Sequence, residues 1–491
     1  MRLLALTLLF CAACAEQSSS RTDTIVDALV ASDLQALRTR PLLVEGKYTR
    51  MSLGLFEYFR GSLPVYLHDV QTRADLFPPS SYVTNPPIVP GLGDAHVENF
   101  GTMRASDGTF ALEPNDFDAC DMWPFLWDLR RLLVAIVIAA RDSNLGDEEA
   151  RAAAAAESDS YARETLQAYI TAMHGFANGT TLARVVEATD QGAVLDDAFS
   201  RSRRDDAERR ELTTLTRIDE RGERHLIRGA VDGEASNTLA NLPQFAVDSL
   251  ASLLRDYRRT LVLPFPENYF NVLDAAREFG SGIASWPRVR VVVLIDGPTP
   301  DREDDLLLEI KETGDSGGLA WTPPGPIADS IVARIRVMSR GIWARPDADP
   351  LLSAINWFGM PVVIRTESDA FKTLRVSRLV NARGTPDALR DMSRALGALL
   401  ARVHASALVQ GSEGARAIDT AVQTDVVGFV NEESAFALRY ADIVAEDFAL
   451  FRAALNARGA RLGVRTEPGD RAHSDASQIF GVPESPLPVS P

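Results

Sequence analysis

Cysteine is almost missing from this chain, with Cys11, Cys14 and Cys120 the only three in 491 residues. That excludes a disulfide framework and a structural zinc site built on cysteines. Long apolar runs are missing as well. The longest in the body of the chain, Leu132 to Ala140, is bounded by Arg131 and Arg141. It falls short of the roughly 20 residues that a bilayer crossing needs, and it predicts a buried helix. Positive charge is in short supply, 51 Lys and Arg against 68 Asp and Glu for a net charge of -17. A nonspecific grip on nucleic acid through phosphate neutralisation is thereby excluded, and no nucleic-acid partner is expected. No repeat with a period of about 20 to 50 residues is evident, so a solenoid is not supported. What remains, 46% apolar and 24% charged residues, is the composition of a soluble globular protein with length for two or three domains.

The N-terminus reads as a targeting segment. Arg2 precedes an apolar stretch, Leu3 to Phe10, followed by Cys11-Ala12-Ala13-Cys14-Ala15 and a polar run to Arg21, which is the pattern of a signal peptide. Ala13-Cys14-Ala15 fits ordinary cleavage; Ala12-Ala13-Cys14 resembles a bacterial lipobox with Cys11 where leucine is usual, which would make Cys14 the lipidated residue. The expectation is a signal peptide over 1–14 and a polar tether over 15–24. The protein would be an exported lipoprotein facing the periplasm or the cell surface and held to the membrane through its lipid anchor alone, with a soluble secreted form as the alternative.

Downstream, 147–177 predicts one or two surface helices interrupted near 158, and Arg201 to Arg228 a charged helix and loop. Apolar residues recur at helical spacing over Gln244 to Leu261 and Asp387 to Ser406. Between these lies a strand-rich block: Val289 to Ile295, a turn at Asp296-Gly297-Pro298, and Leu306 to Lys311 predict a hairpin. A helix over Ile327 to Trp343 and a strand over Pro361 to Arg365 follow. The proline-rich end, 476–491, is expected to be disordered.

The chemistry is concentrated in Gly93-Asp94-Ala95-His96-Val97-Glu98-Asn99-Phe100-Gly101. Four residues separate Asp94 from Asn99, the spacing of a kinase catalytic loop, where the Asp takes the proton of the attacking hydroxyl and the Asn holds magnesium. Phe100 to Arg104 and Thr109 to Leu112, joined by a turn at Asp107-Gly108, predict a hairpin that returns Asn115-Asp116-Phe117-Asp118 beside this loop. Asp116 would be the second magnesium ligand, since that cation takes few protein oxygens and keeps its waters. Asp118 is either a third ligand or a turn residue. Much later, Gly280-Ser281-Gly282-Ile283-Ala284-Ser285 precedes the predicted hairpin and Lys311 ends its second strand. Gly280, Gly282 and Lys311 would hold a nucleotide's phosphates, in an order that a circular permutation of a kinase would produce. Ser285 stands where a third glycine is expected.

Gly-Asp-Ala-His-Val-Glu-Asn-Phe-Gly, Asn-Asp-Phe-Asp and Trp127-Asp128-Leu129-Arg130-Arg131-Leu132 together resemble the bacterial domain-of-unknown-function 2252 family. Lys47-Tyr48-Thr49-Arg50-Met51, Phe59-Arg60-Gly61, the Gly280 loop, Lys311-Glu312 and Leu400-Ala401-Arg402-Val403-His404-Ala405 carry the resemblance from about Arg38 to His404. That family is similar to protein-kinase-like and aminoglycoside-phosphotransferase-like folds. The resemblance implies an α+β fold: two kinase-like lobes in circularly permuted order, a helix-rich large lobe (25–260, completed by 369–475) and a small antiparallel-sheet lobe (261–368). It also implies Asp94 as the base, Asn99 and Asp116 as metal ligands, His96 as a brace of the catalytic loop and Asp128 as its support from behind. Asp128 reads equally as a carboxylate stabilising a helix N-terminus, His404 as a core histidine, and Arg60 as a ligand for a substrate anion or a brace. The helix from Ile327 has no glutamate for Lys311, and Ser339 stands where the resemblance leads one to expect an acidic residue.

Three functions fit this pattern: a phosphotransferase using Mg2+ and ATP on a small-molecule or protein hydroxyl, a kinase-like binding protein without turnover, and a metal-dependent phosphoester hydrolase using Asp94, His96, Asp116 and Asp118.

Overall fold

The computed structural model describes residues 20–141, 148–181, 185–187, 192–230, 238–299, 301–314, 327–343, 349–376, 378, 385–406 and 413–465. Cys14, the signal segment and the proline-rich end lie outside the described residues. The expected tether over 15–24 ends early: Ser20 caps the helix Arg21–Thr39, its Oγ accepting from the Asp23 N–H at 3.2 Å. Among the described residues, no helix is long and apolar enough to cross a membrane.

The fold is mixed α+β with antiparallel sheets. Its helical part is organised on Phe125–Ala140, the helix that the longest apolar run predicts. All of its residues except Trp127 are buried. A helix apolar on every side must be wrapped by others, and here Ser158–Ala177, Thr385–His404 and the 33-residue Val426–Arg458 surround it. The predicted interruption near 158 falls between Glu148–Ala156 and Ser158–Ala177.

The second part is a seven-stranded antiparallel sheet in the order Ser353–Trp357, Met360–Thr366, Leu306–Glu312, Arg290–Ile295, Val272–Phe279, Thr238–Asn241 and Gly229–Ala230. Period-two alternation decides which side chain goes where. Val291, Val293, Leu308, Ile310 and Ile364 face a core closed by the helix Gln244–Arg258 through Leu250, Leu254 and Tyr257. Glu309, Lys311, Arg290 and Arg365 take the opposite positions on the same strands. The sheet's core therefore starts before residue 260, the boundary expected for the small unit. The charged stretch expected to be helix and loop also contains a short hairpin, Thr216–Ile218 paired with Arg224–Leu226. The helix Ile331–Ile342 lies against the strands Ser353–Trp357 and Met360–Thr366 and buries Ile335, Met338 and Ile342.

Candidate functional site

The predicted hairpin forms, Phe100–Arg104 pairing with Phe110–Pro114 in the register Phe100 to Pro114. One step beyond the ladder the Asn115 N–H donates to the Asn99 carbonyl at 3.1 Å. The segment from Asn115 to Asp118 is thereby hung beside the loop that carries Asp94. Gly93, with φ 72°, turns the chain into that loop, and a β-carbon there would collide with the Ala119 carbonyl and the Trp123 ring.

Asp94 is fixed by a neighbour that carried no assigned role in the sequence. Arg131 Nε donates to Asp94 Oδ1 at 2.9 Å and Nη2 lies 2.8 Å from the same oxygen. The guanidinium also reaches the Phe59 carbonyl and stacks on the Phe59 ring. Burial pushes the Asp94 carboxyl above its ordinary range, against the pull of Arg131. Asp94 Oδ2 lies 3.7 Å from His96 Nε2, and burial, followed by Arg60 and Arg131, pushes that imidazole well below its usual range. A neutral His96, edge-on to Phe56 with its buried Nδ1 meeting no partner among the described residues, suits a brace. Asn99 Nδ2 donates to the Asp94 carbonyl at 2.8 Å, which commits the amide's N–H end and frees its oxygen.

Asp128 sits behind this loop, outside the cleft. Its Oδ2 accepts from the Leu92 N–H at 2.7 Å and lies 3.2 Å from His404 Nε2, while His404 Nδ1 is 2.8 Å from the Tyr169 hydroxyl. His404 is thus a buried histidine satisfied on both nitrogens. Asp128 and Arg131 stand three apart on one helix and so share a face. That spacing was the sequence signal by which Arg131 could have been found.

Across from Asp94 lie the sheet's contributions. Gly280 and Gly282, with φ 91° and 80°, make the turn between Val272–Phe279 and Arg290–Ile295. Ser285, at the place expected for a third glycine, accepts from Arg290 Nη2 at 3.0 Å. Lys311 Nζ lies 2.9 Å from Asp118 and 3.5 Å from Asp116. All these groups line one cleft of about 330 Å³. It brings together Asp94, His96, Asn99, Asp116, Asp118, Gly280, Gly282 and Lys311; of the residues singled out in the sequence for catalysis, metal or nucleotide, Asp128 alone stays out.

Asp118, expected among the metal ligands, has its oxygens taken. Oδ1 accepts from Thr313 at 2.7 Å, and Oδ2 faces Lys311 and Arg288, the latter at 2.8 Å. Burial alone would raise this carboxyl, but the two cations outweigh it and hold the group well below the ordinary carboxylate range. It is the counter-ion of Lys311. The helix Ile331–Ile342 sends Arg334 to the Asp118 carbonyl at 2.7 Å, while Ser339, where an acidic residue was expected, is buried with its Oγ toward the Arg336 carbonyl. Asp116 is the freer carboxylate, about a third exposed, with Oδ1 accepting from the Asp118 N–H at 3.0 Å. Asp116 and the Asn99 oxygen therefore fit a hard cation; Asp118 does not. The sheet floor of the cleft is charged. Glu309 bridges Arg290 and Arg365, the second at 2.6 Å, and Arg365 stacks on Phe371.

Among the described residues, the one place where three His, Cys, Asp or Glu ligand atoms converge within 4.8 Å is Asp219, Glu223 and His225 on the exposed hairpin, away from this cleft. Asp94, His96, Asp116 and Asp118 do not converge in that way.

No curated protein and no solved structure matches the chain. A family model, described as an uncharacterized protein conserved in bacteria, matches residues 38–454. That span holds every motif of the cleft and of its supports, and the chain belongs to this family, domain of unknown function 2252.

Proposed function

We propose that the protein is a kinase-like phosphotransferase that moves the terminal phosphoryl group of a nucleotide, ATP in the first instance, to a hydroxyl acceptor. Its kinase-like lobes would be encoded in circularly permuted order. One observation carries the reading: Lys311 and the Gly280 loop, encoded far downstream of Asp94, face Asp94, Asn99 and Asp116 across a single cleft.

In this reading Arg131 holds one oxygen of Asp94 and leaves the other to take the acceptor's proton, at a carboxyl whose burial makes it a stronger base. Lys311 and Arg288 would meet the phosphates as fixed cations, beside the backbone of the glycine loop, left-handed at Gly280 and Gly282. Magnesium, held by Asp116 and the Asn99 oxygen, would neutralise charge on the transferring phosphates. The charged floor of Arg290, Glu309 and Arg365 would give the nucleobase polar rather than apolar contacts, so a panel of nucleotides belongs in the assay.

A second reading, ligand binding without turnover, draws on the helix Ile331–Ile342, which has no glutamate for Lys311 and carries Ser339 where an acidic residue is expected. The hydrolase reading loses support because Asp118 is engaged by cations and its companions do not converge. Thermal-shift titration with nucleotides, with and without magnesium, separates the three. The phosphotransfer reading expects magnesium-dependent binding that Asp116→Asn weakens. It expects Asp94→Asn to bind and yet lose transfer by about 10² to 10⁴. Binding with no transfer, and no effect of Asp94→Asn, favours the second reading; no nucleotide binding under any metal condition removes both.

A further inference from the structure

The Asp94 end of the cleft carries positive charge that the phosphotransfer reading does not use. Arg50 is in the last turn of the helix Pro41–Met51 and Arg60 in that of Leu55–Gly61; both line the cleft, as does Arg375. Arg60 Nη1 pairs with Glu98 at 2.5 Å, which ties it to the loop of Asp94. Arg50 lies over the Trp286 ring at 5.0 Å, next to the end of the glycine loop. Gly46 makes this stack possible, since a β-carbon there would collide with the Trp286 indole. Arg50 Nη1 and Arg60 Nε meet no hydrogen-bond acceptor among the described residues. Burial and the neighbouring Arg60 and Arg375 disfavour the charge on Arg50, and Glu57 and Glu98 offset this in part. An arrangement of this kind is completed by an oxyanion, for which planar guanidinium forks are the matched partner.

We propose that Arg50 and Arg60, with Arg375, form an oxyanion subsite beside Asp94, and that the hydroxyl acceptor is itself an anion carrying a phosphate or carboxylate group. The role as acceptor site rests on the phosphotransfer reading; the subsite rests on these residues. It places the acceptor's charge on the helical side of the cleft, between the loop of Asp94 and Trp286, and leaves Lys311 and Arg288 to the donor.

The test is titration of the full chain, without nucleotide, with inorganic phosphate and with acetate, followed by thermal shift. At least one anion should raise the melting temperature saturably, and which one does so distinguishes a phosphate-bearing from a carboxylate-bearing acceptor. Its midpoint should rise about tenfold in Arg50→Gln and in Arg60→Gln, the loss of one charged hydrogen bond, and change less than about twofold in Arg259→Gln, an exposed arginine outside the cleft. A midpoint unmoved by either arginine variant, or no saturable effect of either anion, overturns the proposal. Because Arg60 also braces its loop, wild-type crystals soaked in phosphate give a check free of mutation. Density within hydrogen-bond reach of Arg50 and Arg60 supports the subsite, and density at Lys311 and Arg288 alone overturns it. Failure of the nucleotide titration would sink phosphotransfer without altering these readings, so the two ideas fail separately.

Discussion

Replacing Asp118 tests the most specific departure of this site from the kinase pattern. Its carboxylate lies 2.9 Å from Lys311, 2.8 Å from Arg288 and 2.7 Å from the Thr313 hydroxyl, and its side chain is 9% exposed. At 2.9 Å and an effective dielectric of about 20, the Coulomb attraction to Lys311 alone is about 6 kcal/mol. Desolvation of both ions cancels much of that, so a net coupling of about 2 kcal/mol is expected. Asp118→Asn leaves Lys311 and Arg288 facing one another, and Lys311 then turns to Asp116, already 3.5 Å away. Two consequences follow together: stability falls, and the carboxylate proposed to hold magnesium is drawn into an ion pair. Urea unfolding of wild type, Asp118→Asn, Lys311→Met and the double variant closes a thermodynamic cycle. Lys311→Met should cost much less in the Asp118→Asn background than in wild type. Additive single effects, with coupling below about 0.5 kcal/mol, would refute the assignment of Asp118 as the lysine's counter-ion. The pH dependence has a definite sign. A carboxyl held below its unfolded value contributes fully above about pH 4, and the contribution is lost as pH falls through the folded value. Asp118→Asn should therefore flatten the acid limb of the stability profile.

Glu433→Gln should cost about 3 kcal/mol in urea unfolding, because Arg130 and Glu433 are both almost fully buried at 2.7 and 2.9 Å and the variant leaves a buried guanidinium unpaired. Asp369 behaves oppositely to Asp118: burial pushes its carboxyl up to about 6, against the hydrogen bond that it accepts from the Glu211 N–H, so its contribution is present below about pH 4 and lost as pH rises through 6. Asp369→Asn, compared with wild type at pH 4 and 7, should remove that loss and gain about 1 kcal/mol at pH 7, a figure discounted for the group's partial exposure; an unchanged difference between the two pH values would contradict the burial argument. If Cys14 carries the proposed lipid anchor, Cys14→Ser should move the protein from a membrane fraction to a soluble one, and an unchanged distribution would point to ordinary cleavage.

Local pattern made the hairpin of Phe100 to Pro114 legible, because alternation and an Asp-Gly turn are written in adjacent residues, and with it the neighbourhood of Asn99 and Asp116. It made the strands of Val291 and Lys311 legible for the same reason. It also made the central helix readable, since nine apolar residues in a row have few other destinations. What it left dark are partnerships between distant segments. Nothing near Asp118 announces a lysine encoded almost two hundred residues later, and nothing near Lys311 announces that a loop, not the following helix, will neutralise it. Charged residues mislead in another way. Arg130, Arg131, Arg277 and Arg402 are fully buried, yet in sequence an arginine reads as surface. The N-terminal helices were the largest omission: Arg60 reads in sequence as an anion ligand or a brace, but Arg50 carries no such signal, and packing against Trp286 places it on the cleft.

The pieces that hold the loop of Asp94 come from one face of one helix and from the far end of the chain. Asp128 takes the Leu92 N–H and Arg131 takes the Asp94 carboxylate, three residues apart on Phe125–Ala140. The spacing of two rigid helical positions is thereby imposed on two loop positions, with Gly93 absorbing the required left-handed turn between them. His404, on the helix Thr385–His404, bonds Asp128 from behind and is itself held by Tyr169. A loop could be kept in place by any few hydrogen bonds. Holding one carboxylate oxygen and one backbone N–H from a single buried helix fixes the orientation of Asp94 as well as its position. Orientation is what a proton acceptor requires and what a merely structural aspartate does not. The cost is three buried ionisable groups, Asp128, Arg131 and His404, in a helical core that apolar side chains would fill more cheaply. In the proposed phosphotransfer, that expense goes to Asp94 as the acceptor's base, with Asp128 and Arg131 positioning it.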